Sequence, residues 1–303
     1  MKRLITIAVV LLLMVPIGLR AQLDPVSLAL RAYQAGDLPK AQELIEIAVD
    51  DDNFNKITKT WYFRGYIYKD LYKQAKEGQS KKQSFEYRDA SVESFRTTVE
   101  LEPQGELVED CNNSLKYLSS TIYNDAAFAL DTNNFEDAQR LYDQYQDITT
   151  VTNPEMDLTQ RTIEFKLYKA NKYSALFDAA STEEDKEKYS QKVTEVYKEV
   201  LSLDSNNISA NYNLAIHFYN QGVNIIENMD YDTDFETLFA IQAQVMELFG
   251  AALPYMKKAY QLNPKRKETL VGLSGIYFGL NDIEKSEYYQ EELKKLQESE
   301  GNQ

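Results

Sequence analysis

Trp61-Tyr62-Phe63-Arg64-Gly65-Tyr66-Ile67-Tyr68 is the stretch on which the fold turns. Trp61, Gly65 and Tyr68 stand at i, i+4 and i+7, so one face of a helix carries all three. A glycine set between two large aromatics on that face marks a close approach by a second helix. Outward from this stretch, small residues recur at a fixed separation. Ala29 precedes Ala41 by 12 residues, Ala126 precedes Ala138 by 12, and Ser274 precedes Ser286 by 12. A turn signal lies inside each pair: Gly36-Asp37, Asn133-Asn134 and Asn281-Asp282. Seven residues after each second member comes a further packing position, Ala48, Tyr145 or Leu293. Segments close on Ala259-x-x-Leu262-Asn263-Pro264, echoed by Leu101-Glu102-Pro103 and Leu203-Asp204-Ser205. Small residue, turn, small residue predicts antiparallel helix pairs, at least ten helices and no sheet.

The pattern resembles the tetratricopeptide repeat, a 34-residue helix–turn–helix with a W-x2-L-G-x2-Y…A-x3-F…P signature. The resemblance covers residues 22–303. It implies an all-α, right-handed α-solenoid of about six units, near 22–53, 58–103, 119–150, 155–205, 208–264 and 267–300. Arg64 stands where the signature has leucine. The fourth unit matches only through its second helix, by Tyr197, Val200 and Leu203. Two spacings depart from 12: Gly65 to Ser91 is 26 residues and Ala215 to Ala252 is 37. Both predict hairpins with lengthened helices, turning at Gly78 to Ser84 and at Asp230 to Asp234. A third long turn is expected at Ser181-Thr182-Glu183-Glu184, which reads as a capping box. Pro254 falls inside an expected helix, where its ring crowds the carbonyl of Gly250 and predicts a kink.

The N-terminus reads as an export signal. Lys2 and Arg3 precede an apolar run from Leu4 to Val15, Pro16 and Gly18 break it, and Ala21 offers a small residue before Gln22. The expected mature protein starts at Gln22, outside the cytoplasm, in the periplasm or cell envelope of a Gram-negative bacterium. The run from Leu4 to Leu19 falls short of the ~20 residues a membrane span needs, so no stable span is expected after cleavage. The formal net charge is −15. Loss of residues 1–21 removes Lys2, Arg3 and Arg20 and no acid, and makes it more negative still. Such a charge repels nucleic acid and anionic lipid. Cys111 is the single cysteine, which excludes an intramolecular disulfide and suits a buried small side chain.

Catalytic and metal chemistry find little to work with. His217 is the single histidine and sits in Leu214-Ala215-Ile216-His217-Phe218 with no motif around it. It is expected to pack inside a helix. Asp230-x-Asp232-x-Asp234 opens like a calcium loop, but Phe235 and Ile241 stand where that loop needs Gly and Glu. An acidic helix N-terminus is the better reading. Gly272-Leu273-Ser274-Gly275 lacks the spacing of a nucleophile elbow. The expectation is a non-enzyme with no cofactor and no metal.

Tyrosine is the remaining anomaly, with 22 copies. Tyr68, Tyr142, Tyr197 and Tyr277 read as core. Tyr33, Tyr62, Tyr66, Tyr123, Tyr212 and Tyr219, with Phe278, fall on the first-helix face that lines the inner groove in proteins of this repeat. Tyrosine suits binding surfaces, being rigid with an apolar body and a polar tip. The resemblance thus implies a scaffold that binds a protein or peptide in its concave face, with Lys59 and Lys69 adding charge specificity. A carbohydrate or small-solute binding protein, with tyrosines stacking on sugar faces, is the alternative. A closed pocket at the inserted hairpins would favour it, and a continuous groove the first reading. The partner's identity and the oligomeric state stay open at this stage.

Overall fold

A computed structural model describes residues 24–77, 81–230 and 232–301. The leader expected at 1–21 and the glycine expected to start the first long turn, Gly78, lie outside the described residues. Twelve helices and no strand occur among the described residues. They are α1 (Pro25–Gln34), α2 (Leu38–Asp50), α3 (Thr58–Glu77), α4 (Lys81–Leu101), α5 (Val108–Asp131) and α6 (Phe135–Thr152). Then follow α7 (Thr159–Ala179), α8 (Glu183–Leu203), α9 (Ile208–Glu227), α10 (Phe235–Leu262), α11 (Lys267–Gly279) and α12 (Ile283–Gly301). The all-α expectation holds, with sequence neighbours packed as pairs.

Three of the turns are built alike, atom for atom. Gly36, Asn133 and Asn281 each stand seven residues after the small residue of their first helix, and each has positive φ, at 80°, 57° and 59°. The next amide donates back to a carbonyl five residues earlier: Asp37 to Ala32, Asn134 to Ala129 and Asp282 to Tyr277, at 3.0, 2.8 and 2.9 Å. This closes the first helix in the manner of a Schellman motif. The same residue caps the second helix. The side chains of Asp37, Asn134 and Asp282 accept the amides of Lys40, Asp137 and Lys285 at 3.1, 3.3 and 3.2 Å.

The small residues meet where the spacing puts them. Ala29, Ala41, Ala126 and Ala138 are fully buried. Ser286 Oγ donates to the Ser274 carbonyl at 3.0 Å. Ser91 Oγ donates to the Gly65 carbonyl at 2.8 Å, so the 26-residue spacing joins equivalent points of a longer hairpin. A Cβ on Gly65 would lie 2.7 Å from Cε1 of Phe95, a fully buried ring. Ala215 and Ala252 are also fully buried, on helices of 20 and 28 residues. The expected core tyrosines are buried: Tyr68, Tyr142, Tyr197 and Tyr277.

Some expectations need correcting. The cap of α8 is Thr182, one residue beyond Ser181. It accepts the Asp185 amide at 3.1 Å while its hydroxyl bonds the Asp185 carboxylate at 2.9 Å. Leu203 closes α8, as the ending Leu203-Asp204-Ser205 predicts, and is 44% exposed. The first helix of the expected third unit begins at Val108, upstream of position 119. Glu109 and Asp110 favour a helix start there, and Cys111, Leu115 and Leu118 give it a buried face. As expected, Pro254 lies inside a helix, on the exposed side of α10, and Asp234 caps that helix by accepting the Thr237 amide at 2.9 Å.

The chain divides into two compact units. One holds the described residues up to Asn124 together with Tyr142–Glu155. The other holds Asp125–Leu141 and the described residues from Met156 on.

Candidate functional site

Within the first unit, α3 and α5 present facing stripes of polar and aromatic side chains. On α3 they are Tyr62, Tyr66, Lys69 and Lys73, at i, i+4, i+7 and i+11. On α5 they are Asp110, Ser114 and Tyr117, at i, i+4 and i+7. The Tyr62 hydroxyl donates to Asp110 Oδ2 at 2.9 Å, and Lys69 Nζ donates to Ser114 Oγ at 3.0 Å. Lys73 Nζ stands 5.9 Å from the Tyr117 ring centre. Tyr66, Lys69, Lys73, Asp110, Asn113, Ser114 and Tyr117 line an open depression of about 310 Å³.

The aromatics are locked by one another. Tyr62 and Tyr66 meet edge to face at 5.0 Å, and Tyr66 meets Phe95 edge to face at 5.2 Å. Lys69 Nζ lies 3.8 Å above the Tyr66 ring, within cation–π range. Burial, and then Lys73, hold the Lys69 ammonium below the ordinary lysine pKa. Its direct partners are neutral: a hydroxyl and a ring. Next to it, Asp70 accepts from the Tyr33 hydroxyl at 2.6 Å and from Lys73 Nζ at 3.0 Å. Burial would raise the Asp70 carboxyl, but these two hydrogen bonds outweigh it and hold the pKa low. Burial pushes the Tyr33 and Tyr62 phenols up, helped by their bonds to Asp70 and Asp110. Both are therefore hydrogen-bond donors at any ordinary pH.

Within the first unit, the residues singled out from the sequence fall at more than one place. Tyr33, Tyr62, Tyr66 and Lys69 gather around the α3 stripe. Lys59 is exposed on the rim of a separate depression of about 360 Å³, lined mainly by Val26, Leu30, Phe54, Ile57 and Phe63. Tyr123 packs against Tyr145 and Tyr142, with ring centres at 5.1 and 6.2 Å. In the second unit, Tyr212 lies beneath the Arg266 guanidinium at 3.7 Å. Tyr219 stacks on Phe249 at 5.3 Å and fills the space beside Gly275. Phe278 is 67% exposed. Asp70, Lys73, Asp110, Ser114 and Tyr117 were not anticipated. Lys73 continues the α3 stripe and could have been found by it, whereas the α5 residues lie upstream of the expected repeat.

His217 is buried as expected, with Ser190 Oγ 3.0 Å from Nε2 and the Phe177 ring at 5.0 Å. Burial pushes its pKa down to about 4. Cys111 is fully buried, and burial pushes its thiol up to about 11. Among the described residues, no cluster of three or more His, Cys, Asp or Glu side chains could hold a metal.

Like turns, small-to-small contacts at like positions and paired neighbouring helices decide the architecture. The fold is an array of tetratricopeptide-type helix pairs. No family model and no curated protein matches the chain. Solved structures do align with it. PilW, a type IV pilus biogenesis factor, is 16% identical with a TM-score of 0.32, over 89% of this chain and 90% of PilW. MamA is 11% identical with a TM-score of 0.33, over 79% of this chain and 94% of MamA. The S. pombe nuclear import adaptor Nro1 is 12% identical with a TM-score of 0.33, over 91% and 92%. The fold assignment rests on the chain's own helix pairs and not on these alignments.

Proposed function

We propose that the chain is a non-catalytic, exported scaffold whose α3–α5 face takes a carboxylate-bearing segment of a protein or peptide partner. Residues 1–21 act as a removable leader and 22–303 as the repeat array. Lys69 carries the reading. It is a half-buried ammonium with its pKa held down, set between a hydroxyl and an aromatic face. Asp70 and Asp110 act on it only through space, and an incoming carboxylate supplies a directly bonded counter-charge, in a setting where charge-assisted hydrogen bonds are strong. Lys73 offers a second donor, and Tyr66 and Tyr117 flank the depression with apolar ring surface. The depression is open rather than enclosed, which favours an extended segment over a small solute.

A displayed peptide library panned on the chain tests this. Enriched peptides should carry Asp, Glu or a free C-terminus. Lys69→Gln and Lys73→Gln should each weaken them at least ~10-fold while the helical spectrum stays unchanged. Unchanged binding, or enrichment without acids, places recognition elsewhere. Retention on a glycan array that depends on Tyr66 would favour the sugar-binding alternative.

A further inference from the structure

One face of α10 is spent on the core and another is not. Val245, Phe249, Ala252, Met256 and Ala259 are buried. At 3.6 residues per turn, Phe235, Phe239, Met246, Gly250, Leu253 and Lys257 lie on a separate stripe, roughly 100° around the helix. On that stripe Phe235 is 81% exposed, Phe239 68% and Met246 44%. Gly250 faces open space, with no heavy atom within 4 Å of where a Cβ would stand. The most apolar 18 residues of α10 are only 17% buried. Leu253, further along, is half-buried against the core, and the apolar surface left uncovered from Phe235 to Gly250 marks an interaction face.

The charges around the stripe say what covers it. α10 is long and apolar enough to cross a membrane. Yet α9 packs along it, and Asp230, Asp232 and Asp234 crowd its N-terminal end. From Phe235 to Met256 the helix carries Glu236 and Glu247 and neither Lys nor Arg. Helices that lie on bilayers carry basic polar faces, so this one has the wrong sign. Its charges instead complement a copy of itself: acids at the N-terminal end, Lys257 and Lys258 at the C-terminal end.

We propose that a second copy of this chain docks along the stripe, antiparallel, with Met246 on the two-fold axis. In that register Phe239 faces Leu253 of the other copy and Phe235 faces its Lys257. The lysine end of each helix meets the acidic end of the other. Ala243 and Gly250, small residues on either side of Met246, let the two backbones come close. Every contact off the axis occurs twice, as an isologous interface requires. The α3–α5 site plays no part in it.

Sedimentation of the whole chain and two cysteine variants test the arrangement. The chain should sediment as a dimer, and Met246→Glu, which sets two like charges together on the axis, as a monomer with an unchanged helical spectrum. With oxidised glutathione as the oxidant, Met246→Cys should give a disulfide-linked dimer. Gln244→Cys, on the opposite face, should not, and the native Cys111 is fully buried. A monomeric native chain, a Met246→Glu variant that stays dimeric, or equal cross-linking from both cysteines overturns the proposal.

Discussion

Arg64 shows how one substitution is absorbed. It occupies the leucine position of the repeat signature and is only 9% exposed. Its guanidinium pairs with Glu46 at 2.7 Å and Glu93 at 3.0 Å, bonds Ser94 Oγ at 2.8 Å and lies 4.7 Å from the Tyr68 ring centre. The two glutamate side chains are 36% and 61% exposed, so water can take over their solvation if the arginine is removed. Replacing a partly exposed ion pair by apolar packing is then close to neutral. Arg64→Leu should change stability by less than ~1 kcal/mol or raise it, while Arg64→Ala, which leaves a void, should cost ~2–4 kcal/mol. Urea unfolding followed by Trp61 fluorescence distinguishes them. Equal losses would mean that the ion pairs, and not the packed volume, matter. The adjacent Gly65 has no such tolerance. Phe95 is fully buried and cannot swing away from a new Cβ, so Gly65→Leu should cost ~1–3 kcal/mol or more despite better helix propensity.

At the scale of the element, the left-handed turn residue sets the hairpin. Asn133 and Asn281 tolerate positive φ because their short polar side chains suit it. A β-branched residue does not. Asn281→Val should lower stability by ~1–2 kcal/mol, and Asn281→Gly should leave it within ~0.5 kcal/mol, since relief of strain offsets a looser unfolded chain. Thermal melts of the pair check this, and equal melting would mean that the left-handed residue does not set the hairpin. These turns also explain what could be read in advance. A small residue, a turn seven residues later and a second small residue form a local pattern, so it survives in the sequence. The lengthened α3–α4 and α9–α10 pairs were legible for the same reason, as changes in one spacing. The start of α5 was not. It follows a new turn at residues 102–107 and answers to Cys111, Leu115 and Leu118, whose burial is decided by tertiary packing. The site was half-legible for a matching reason. The α3 stripe follows from helical periodicity, but Asp110, Ser114 and Tyr117 join it only across a contact between helices distant in sequence. Tyr212 and Tyr219 share that limit. Their spacing says which face they are on and not that Arg266 and Phe249 already occupy it.

Within each unit, α1–α4 and α7–α12 pack chiefly on their sequence neighbours, with α1–α3 and α9–α11 as next-nearest contacts. Stability in such an array is a sum of local terms, and distant parts can open separately. Two singular residues make this measurable: Trp61, the only tryptophan, in the first unit, and His217, the only histidine, in the second. Burial holds His217 neutral in the folded state, with its pKa pushed down from 6.5 to about 4. Between those values the unfolded chain binds a proton that the folded chain refuses. The contribution of His217 is therefore complete above pH 6.5 and is lost as pH falls towards 4, by about 2 kcal/mol at pH 5. That loss belongs to the second unit. On acidification from pH 7 to pH 5, the midpoint of helix loss by circular dichroism should fall more than the midpoint of Trp61 fluorescence. In His217→Gln, which cannot take up the proton, the extra fall should disappear. The carboxylates titrate alike in both proteins, so the difference between them isolates the histidine. Coincident midpoints at both pH values would show the array unfolding as one cooperative body. An unaltered pH dependence in the variant would show that His217 is not the group that charges.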